Sequence, residues 1–414
     1  MKKQTALIGA IKKCQICSDN KLENILSLGH QALVSSYLSK EELQKSEMTY
    51  PLNFCRCAKC GLLQLDYIVE PQTAFHKAYP YQTGMTNMLI KNFCSLAELL
   101  IKNYKLKSDD LIVDIGSNDG TLLKGFKKNG MRVLGVEPTN VAKIAIKNGI
   151  PTIQKFFNKE VAKNIVIKKG KAKIITMTNA FAHVNELFDL LQGVKHLLSN
   201  KGVFVSESQY LLNTIEKGAF DCIYHEHLRF YSLKPLAYLF SRAGFTLIDA
   251  EIIPAAGGSI RAYAMKGKRT PGKRVVELIT AEKKAGLYDI KRLKKFSEQA
   301  KTAKYDLLSL LINCKKKGRI AAIGSSARSN ILMGFAKINK DILDYICEKK
   351  GSPKIGLFTP GTHIPVIEEK QLFEDQPEYA LILAWHIGEE LTQKLRTQGY
   401  KGKFIIPLPK PRIV

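Results

Sequence analysis

Residues 111–123 read LIVDIGSNDGTLL and join an apolar strand to the start of a helix through a glycine-bracketed turn. The strand is predicted over 111–115, and Gly116 and Gly120 allow the backbone to turn tightly. A helix that begins at such a turn offers unpaired backbone N–H groups at the carboxyl end of the strand. The spacing therefore predicts a nucleotide or cofactor site in an α/β domain.

The residues of this turn favour S-adenosylmethionine over a dinucleotide as the bound cofactor. Asn118 stands where the G-x-G-x-x-G pattern has the middle glycine that lets a pyrophosphate approach the backbone. S-adenosylmethionine carries no phosphate, and its cationic sulfonium and amino groups favour a nearby carboxylate such as Asp114 or Asp119. Glu137, which ends the next strand in LGVEPT, can accept hydrogen bonds from ribose hydroxyls. A dinucleotide, or a glycine turn without any ligand, stays open at this point.

The flanking segments extend the α/β pattern in both directions. Strand-length apolar runs alternate with polar helical stretches and predict a parallel, doubly wound sheet. These runs lie at 111–115, 133–136, 174–177 and 203–207. After a lysine-rich helical stretch over 275–316, a second α/β unit is predicted over about 318–414. Its strands are expected at 319–323, 355–358, 379–384 and 404–406. Asn179 and His183 follow the third strand, where polar side chains face the cleft of such a sheet.

Five of the nine cysteines fall in the first 60 residues and indicate a separate module over 1–75. It contains two C-x-x-C pairs, CQIC at 14–17 and CAKC at 57–60. Two such knuckles supply a tetrahedral thiolate set for structural zinc, with no open position for catalysis. The x-x spacing to the last cysteine favours Cys57 over Cys55. The expected ligands are Cys14, Cys17, Cys57 and Cys60. Disulfides and a thioredoxin-like redox pair are the alternatives, which a cytoplasmic location and the lack of an adjacent strand–helix unit disfavour.

An aromatic and histidine segment, YHEHLRFY at 224–231, is a candidate catalytic element. A histidine near a carboxylate is a natural general base, and His227 and Glu226 form such a pair. H-E-x-x-H is absent, which excludes a zincin site. A packed aromatic patch, or a metal site made by His225 and His227, stays open. The later stretch GGSIR offers Arg261, which could hold a phosphate or orient the segment, or follow a plain turn.

Composition and charge narrow the classes of partner. The 414 residues carry 64 lysines and arginines against 37 acidic residues, a formal net charge of +27. The basic residues are dispersed and not interleaved with aromatics, which favours anionic small molecules over nucleic acid. No run of 18 apolar residues and no signal-peptide cleavage site is present, so we expect no membrane span and a cytoplasmic protein. No heptad pattern is sustained, and a monomer and a dimer both stay open.

These motifs, in this order, resemble the nucleotide-sugar C-methyltransferases, which methylate carbon 3 of a 4-keto sugar. The resemblance spans nearly the whole chain. It is carried by CAKCGLLQL, YPYQTG, VDIGSNDGTLL with VEPT, NAFAHV, YHEHLRFYS, GGSIRAY, IGSSARSN, FTPGTHIPV and ILAWH. It implies an N-terminal zinc-binding domain at 1–78 and a central Rossmann-like S-adenosylmethionine domain at 79–272. It also implies a C-terminal Rossmann-like domain at 273–414 that helps to hold the nucleotide sugar.

The resemblance also implies roles for individual residues. His227 resembles the base that removes the carbon 3 proton, with Tyr224 and Glu226 as supporting partners. His183 matches a further active-site histidine. The expected cofactor residues are Tyr79, Tyr81, Asp114, Gly116, Asn118, Gly120, Glu137 and Asn179. Departures from the family pattern leave the identity of the nucleotide sugar open, and they fall at Ala256, at His386 and at Glu348 or Lys349.

A general-base mechanism fits these residues. A proton next to a ketone is acidic enough for an imidazole if hydrogen-bond donors stabilise the enediolate, and Tyr224, His183 and His225 are candidate donors. We expect Glu226 to orient His227 and to favour its charged form during turnover. The main alternative is an O- or N-methyltransferase of the same fold acting on another small-molecule or sugar acceptor. A dehydrogenase with two nucleotide folds and a non-enzymatic binding scaffold are further alternatives.

Overall fold

The computed structural model describes residues 8–75, 80–85 and 87–414 and arranges them around four β-sheets. Tyr79, expected at the cofactor site, lies outside these residues. The N-terminal elements are β1 (Gly9–Ala10), β2 (Leu22–Ala32), β3 (Thr49–Cys57), β4 (Leu63–Leu65), β5 (Tyr67–Ile68) and α1 (Pro71–Ala74). The strands β2, β3 and β4 form an antiparallel meander, and β1 pairs with β5. The two cysteine knuckles therefore flank a β-sheet and lie outside any strand–helix unit.

The central part is built on a seven-stranded sheet whose order is β12-β13-β10-β9-β6-β7-β8. Its elements, with the intervening helices, are α2 (Asn87–Tyr104), β6 (Leu111–Ile115), α3 (Thr121–Lys128), β7 (Arg132–Val136), α4 (Ala142–Lys147), β8 (Thr152–Ile153), α5 (Lys159–Lys169), β9 (Ala172–Thr178), α6 (Leu187–Leu197), β10 (Leu198–Gln209), α7 (Leu211–Glu216), β11 (Arg229–Phe230), α8 (Leu233–Ala243), β12 (Phe245–Ile253) and β13 (Ser259–Lys266). All strands run parallel except β13, which pairs antiparallel with both of its neighbours. The predicted fold class is confirmed, with one reversed strand near the edge.

Burial explains why the decisive stretch becomes the centre of this sheet. Every residue of β6 is buried, as a strand covered by helices on both faces requires. On one face lies α2, which buries an apolar stripe at helical spacing consisting of Leu89, Phe93, Leu96, Ala97 and Leu100. This stripe packs with Ile112 of β6 and Phe126 of α3. The carboxyl end of β6 is thereby held at one fixed place, where the sheet order reverses between β6 and β9.

The strand β11 lies in the central part of the chain but belongs to the N-terminal sheet. It pairs antiparallel with β4, through Arg229 opposite Gln64 and Phe230 opposite Leu63. The segment that follows the predicted catalytic histidine is therefore an edge strand of the cysteine-bearing module. The predicted boundaries at 1–78, 79–272 and 273–414 stay predictions.

The C-terminal part repeats the α/β pattern with a six-stranded sheet ordered β16-β15-β14-β17-β18-β19. Its elements are α9 (Lys273–Lys284), α10 (Ile290–Lys315), β14 (Ile320–Ile323), α11 (Ala327–Ala336), β15 (Ile346–Glu348), β16 (Val366–Glu368), α12 (Lys370–Asp375), β17 (Tyr379–Ile382), α13 (Gly388–Thr397), β18 (Lys403–Ile406) and β19 (Arg412–Ile413). In sequence order this is the 3-2-1-4-5-6 arrangement of a Rossmann sheet, with only the last strand antiparallel.

Two predicted elements differ from the structure. The single helical stretch over 275–316 is two helices, because Gly286 turns the chain with a φ of 66° and the Asp289 side chain caps α10 by accepting from Lys291 N. The strand expected at 355–358 is a turn, since Gly356 takes a φ of 85°. Only Phe358 makes bridges there, to Leu38 and Pro365.

None of the helices in the described ranges is long and apolar enough to cross a membrane.

Candidate functional site

The four cysteines of the two C-x-x-C pairs come together at one point. Their sulfur atoms all lie within 4.8 Å of one another. The Sγ atoms of Cys14 and Cys60 are 3.5 Å apart, as are those of Cys17 and Cys57. Four thiolates at about 2.3 Å from one zinc ion require such spacings, whereas a disulfide requires about 2.05 Å. The donor set therefore fits a structural zinc ion, and the disulfide alternative is wrong.

Cys55 lies outside this cluster. Its thiol donates to Asp66 Oδ2 at 3.6 Å, and burial raises the pKa of the thiol to about 12. Within the cluster, the x-x turns are closed by backbone hydrogen bonds from Ser18 N to Cys14 O and from Gly61 N to Cys57 O. The predicted choice of Cys57 over Cys55 matches this geometry.

The turn after β6 makes an approach that only glycine allows. Gly116 has a φ of 72°, and a Cβ on it would lie 2.6 Å from the Cβ of Ala180. Its amide donates to Val136 O at 2.8 Å, which ties the turn to the end of β7. Gly120 has a φ of 78° and precedes α3, where it packs on Ile150. Gly116 thus lines the cleft, and Gly120 shapes the helix start behind it.

Two side chains brace this turn against the next strand. Glu137, at the end of β7, accepts from Asn118 N at 3.0 Å with one oxygen and from Thr139 N at 2.9 Å with the other. Asn118 has a φ of 50°, and its side chain reaches back to the Tyr81 carbonyl and the Thr83 amide. Oε1 also accepts from Thr139 Oγ1 at 2.7 Å, so Oε2, with one bond, is the oxygen that keeps acceptor capacity for a ligand hydroxyl.

The carboxyl group of Asp114 is buried at the base of the turn. Burial raises the pKa of Asp114 to about 7, opposed by the hydrogen bond from Thr176 Oγ1 at 2.7 Å and reinforced by Glu137. The neighbouring Asp119 accepts from the Gly84 amide at 2.7 Å and caps the start of α3 through Thr121. Asp114 faces the cavity, whereas Asp119 anchors the 83–85 turn.

A cavity of about 390 Å³ opens at this end of the sheet, within the size range of small-ligand sites. Six of the predicted cofactor residues line it, namely Tyr81, Asp114, Gly116, Asn118, Glu137 and Asn179. His183 also lines it, and Ser117 places a buried hydroxyl without a described partner beside Gly135. The cradle at Gly116 and the acceptors of Glu137 fit S-adenosylmethionine, whose sugar hydroxyls need acceptors and whose sulfonium needs no phosphate-binding loop.

The geometry of His227 defines its tautomer. Nδ1 lies 2.9 Å from the Cys222 carbonyl oxygen. A carbonyl can only accept, so Nδ1 carries the proton and the neutral ring keeps a lone pair on Nε2. Burial lowers the pKa of His227 to about 4, opposed by the Cys222 bond and reinforced by the charge of Arg328. The ring is therefore an unprotonated base at neutral pH.

His183 and Tyr224 surround this imidazole. The Tyr224 ring centroid is 3.9 Å from that of His227, and the His183 centroid is 5.1 Å away. His183 Nε2 is buried without a hydrogen-bond partner among the residues described. Burial, with help from Glu226, raises the pKa of the Tyr224 phenol well above its ordinary value, so it remains a hydrogen-bond donor. The His227 imidazole therefore lies one ring away from the cavity that His183 lines.

Two expectations about this segment are wrong. Glu226 does not orient His227, because the Cys222 carbonyl does so, and Glu226 Oε1 accepts from Ser35 Oγ at 2.6 Å. Burial disfavours the charged form of His227 in this structure, and the expectation that Glu226 favours the charged form during turnover stays a prediction. His225 points the other way, with Nε2 3.3 Å from the carbonyls of Tyr50 and Pro51 in β3. A shared metal site with His227, or an enediolate contact by His225, is excluded by that direction.

Arg261 forms its described ion pairs and hydrogen bonds away from the histidine segment. Its guanidinium pairs with Glu207 at 3.0 Å and Glu251 at 3.1 Å, and it donates to Asn92 of α2. It fastens α2 to the sheet, and none of its four described hydrogen bonds goes to the histidine segment. The alternative of a plain turn before a strand fits Gly257 and Gly258, which lead directly into β13.

Sequence reasoning missed the contacts of Asp221, the residue next to Cys222 in the chain. Asp221 is buried and accepts two hydrogen bonds from Arg328 at 3.0 Å and one from Trp385 Nε1 at 2.8 Å. Both partners come from the C-terminal α/β unit, Arg328 from α11 and Trp385 from the turn after β17, and both are more than 100 positions away in the chain. The motifs IGSSARSN and ILAWH contain them, but spacing alone gives no sign of which side chain they meet.

Comparison with known proteins agrees with this architecture. Family models match residues 14–75 (zinc binding domain), 88–250 (methyltransferase domain) and 254–409 (C-methyltransferase C-terminal domain). The C-methyltransferase NovU of Streptomyces niveus is 28% identical over 415 aligned positions, which cover 99% of this chain and 98% of NovU.

Solved structures resemble only part of the chain. A S-adenosylmethionine-dependent methyltransferase from Anabaena variabilis is 16% identical, covers 42% of this chain and 84% of its own, and gives a TM-score of 0.33. One from Clostridium acetobutylicum is 13% identical over 43% of this chain and 92% of its own, with a TM-score of 0.35. Values this low bear on no residue of the site. The three family models together with the full-length relative show that the chain is an S-adenosylmethionine-dependent methyltransferase of the C-methyltransferase family, with a four-cysteine zinc-binding site near its N-terminal end.

Proposed function

We propose that this enzyme methylates carbon 3 of a nucleoside-diphosphate 4-keto-deoxysugar, with His227 as the general base. The observation that carries the proposal is the buried, neutral His227 ring, whose Nδ1–H is fixed by the Cys222 carbonyl beside the cofactor cavity. The sugar, its nucleotide and the choice of carbon 3 follow from the sequence resemblance to sugar C-methyltransferases.

The residues of the site suit proton removal from carbon. His227 Nε2 takes the proton next to the ketone, and the fixed Nδ1–H keeps the lone pair aimed in one direction. S-adenosylmethionine supplies an electrophilic methyl group on a sulfonium. The residues that line the cavity would hold the cofactor, and His183 both lines this cavity and lies against the His227 ring, so that positioning would replace a chance encounter.

Donors near the base stabilise the negative charge that develops on the keto oxygen. The Tyr224 phenol remains protonated. His183 Nε2 has no hydrogen-bond partner among the residues described, so it need not break a bond to contact the substrate. A donor already in place costs no reorganisation during the reaction, and one such donor is worth about 10²–10³ in rate. We assign this role to Tyr224 and His183, and a supporting role through the Tyr224 environment to Glu226.

The C-terminal α/β unit contacts the segment that precedes the two histidines. Arg328 of α11 and Trp385, which follows β17, reach Asp221, the neighbour of Cys222, so this unit lies against the segment that holds the His227 ring. An acceptor linked to an anionic nucleotide fits a strongly basic chain of net charge +27. We propose that the C-terminal part helps to hold the nucleotide there.

Deuterium exchange tests the base separately from methyl transfer. The enzyme is incubated in heavy water with S-adenosylhomocysteine and a panel of nucleoside-diphosphate 4-keto sugars, and carbon 3 is read by NMR and mass spectrometry. We expect deuterium at carbon 3 with wild type and a loss of about 10²–10⁴-fold in His227→Ala, because general-base catalysis contributes that much.

His225→Gln is the matched control, since that ring contacts β3 and faces away from the base. It should exchange at the wild-type rate once folding is verified. Methyl transfer to oxygen or nitrogen without any carbon 3 exchange would replace the proposal with the O- or N-methyltransferase alternative. Wild-type exchange in His227→Ala would remove His227 from its role.

A further inference from the structure

We propose that Arg229 and Gln15 form a positioning pair that couples the zinc knuckle to the two active-site histidines. This inference depends on the proposed function for the roles of His183 and His227. It assigns the cysteine module a part in catalysis that goes beyond stabilising its own fold. Neither residue belongs to the predicted site, and Gln15 lies between two of the zinc ligands, Cys14 and Cys17.

Arg229 is a buried cation without a carboxylate partner among the residues described. It is 2% exposed, and its three donor groups bond neutral oxygens. Nη1 donates to Gln15 Oε1 at 2.5 Å, Nε donates to Tyr231 Oη at 3.2 Å, and Nη2 donates to the Val184 carbonyl. Buried charges are normally paired because desolvation is costly, so a guanidinium kept here with neutral partners points to a use for its position or its charge.

Gln15 connects Arg229 to the first cysteine knuckle through hydrogen bonds. Its Nε2 donates to Leu65 O at 3.1 Å and to Leu228 O at 3.2 Å, and its own amide donates to Gln64 Oε1 at 2.8 Å. The side chain is 3% exposed. A zinc ion held by the cysteines on either side of Gln15 would fix the direction of its side chain. The side-chain amide in turn holds the backbone carbonyl of Leu228, the residue after His227.

The same bonds join the two histidine-bearing segments to each other. Leu228 N, next to His227, donates to Ala182 O at 3.0 Å, next to His183. Arg229 closes the other side by bonding the carbonyl of Val184. Its charge, after burial and the His227 ring, also lowers the pKa of His183. One residue thus sets the spacing of the two rings and adds positive potential beside the place where negative charge develops.

Arg229→Gln tests the pair with three readouts. Zinc content per chain and S-adenosylhomocysteine affinity report folding, carbon 3 deuterium exchange reports the base, and ¹⁵N NMR of labelled histidines reports the rings. We expect one zinc per chain, affinity within twofold of wild type, exchange slower by about 10–100-fold and shifted His183 and His227 signals. A displacement of about 1 Å is enough for such a loss.

Arg242→Gln is the matched control, because Arg242 also donates to the same knuckle, at the Ile16 carbonyl, but stacks on Phe188 and touches neither histidine. It should keep the wild-type exchange rate and histidine spectrum. If Arg229→Gln does not yield folded protein, Gln15→Glu keeps the acceptor of Arg229 and places a carboxylate against the charge. We expect that variant to slow exchange and to shift the same two signals.

The outcomes separate the two proposals. Wild-type exchange together with unchanged His183 and His227 signals in the folded variants would overturn the positioning pair. Equal effects in Arg242→Gln would also overturn it, since any loosening of the knuckle would then suffice. Absence of exchange in wild type would instead overturn the proposed function, and the histidine spectra would still decide whether Arg229 sets the two rings.

Discussion

The two Rossmann-like sheets of this chain make the same turn and use it differently. In the central sheet, Gly116 N donates to Val136 O at 2.8 Å, and in the C-terminal sheet Gly324 N donates to Cys347 O at 2.9 Å. Both glycines have a positive φ, 72° and 89°. In both sheets an acidic residue follows the accepting carbonyl and takes an amide of the turn, Glu137 in the first and Glu348 in the second.

Side chains from other segments contact the second turn, whereas the first turn lines the cavity. Lys354 lies 3.9 Å from the Glu348 carboxylate and also donates to the Ser325 carbonyl. Tyr37, from the N-terminal part, is 2.8 Å from Ser325 Oγ. Ser326 closes the start of α11 with a capping box. Among the residues described, the carboxylate beside Gly116 has no cationic partner and keeps one oxygen for a ribose hydroxyl, whereas the carboxylate beside Gly324 is paired with a lysine.

This difference disfavours the dehydrogenase alternative, which requires both turns to bind nucleotides. It also shows that the strand–glycine–helix pattern predicts a backbone shape, whereas the surrounding side chains decide whether a ligand can use it. The following three variants and their matched partners measure how far the two turns differ.

Gly116→Ala should have the largest effect on the fold. A Cβ there meets Ala180 at 2.6 Å, whereas one at Gly324 meets Ala384 at 3.4 Å. The positive φ costs about 1–2 kcal/mol at each site, and overpacking adds about 1–3 kcal/mol at Gly116 alone. We expect losses of local stability of about 2–5 kcal/mol around β6 and about 1–2 kcal/mol around β14, measured by hydrogen exchange of the strand amides. Equal losses would mean that the two turns are equally tight.

Glu137→Gln should weaken S-adenosylhomocysteine binding by about 10–100-fold. A hydrogen bond to a charged group is worth about 1.5–3 kcal/mol, and the amide that replaces the carboxylate offers one acceptor fewer. The matched variant Glu348→Gln should leave the dissociation constant within twofold, because Lys354 and Ser325 already hold that carboxylate. Titration calorimetry measures both. Comparable losses in the two variants would place a cofactor-binding role in the second sheet as well.

The sequence predicts the strands that are buried on both faces well. The residues predicted for β6 coincide with the strand, and β7, β9 and β10 contain their predicted cores, because apolar β-branched runs of that length have few alternatives. The four zinc ligands follow from their spacing for a similar reason, since a C-x-x-C turn places two thiolates together locally.

Contacts between distant segments could not be predicted in this way. The partner of His227 is a backbone carbonyl, which carries no residue signature, and the carboxylate of the preceding residue, Asp221, is bonded by Arg328 and Trp385 from the C-terminal α/β unit. Glu226 is adjacent to His227 in sequence, yet the turn at 224–227 directs its carboxylate towards Ser35. Sequence neighbours on a turn point in different directions, so adjacency was a poor guide to contact.

The smallest expected effect concerns a position at which the two sheets differ outright, Asp114 against Ala322, each two residues before its glycine. Burial raises the pKa of Asp114 to about 7, so between about pH 4 and 7 the folded enzyme keeps a proton that the unfolded chain releases. Stability from this group is present at acid pH and is lost as pH rises through 7. Asp114→Asn removes the titration and should gain on wild type by about 1 kcal/mol between pH 6 and 7, with little change above pH 8.

Urea unfolding of the cofactor-free enzyme, followed by circular dichroism, measures that difference at each pH. Asp109→Asn, which removes an exposed carboxyl just before β6, is the matched control for the loss of a carboxylate near this strand. A constant difference between wild type and Asp114→Asn would show that the carboxyl is already ionised in the fold. In that case the negative charge beside Gly116 would be a permanent feature of the empty site, and the contrast with the lysine-neutralised second turn would be sharper than the burial of Asp114 indicates.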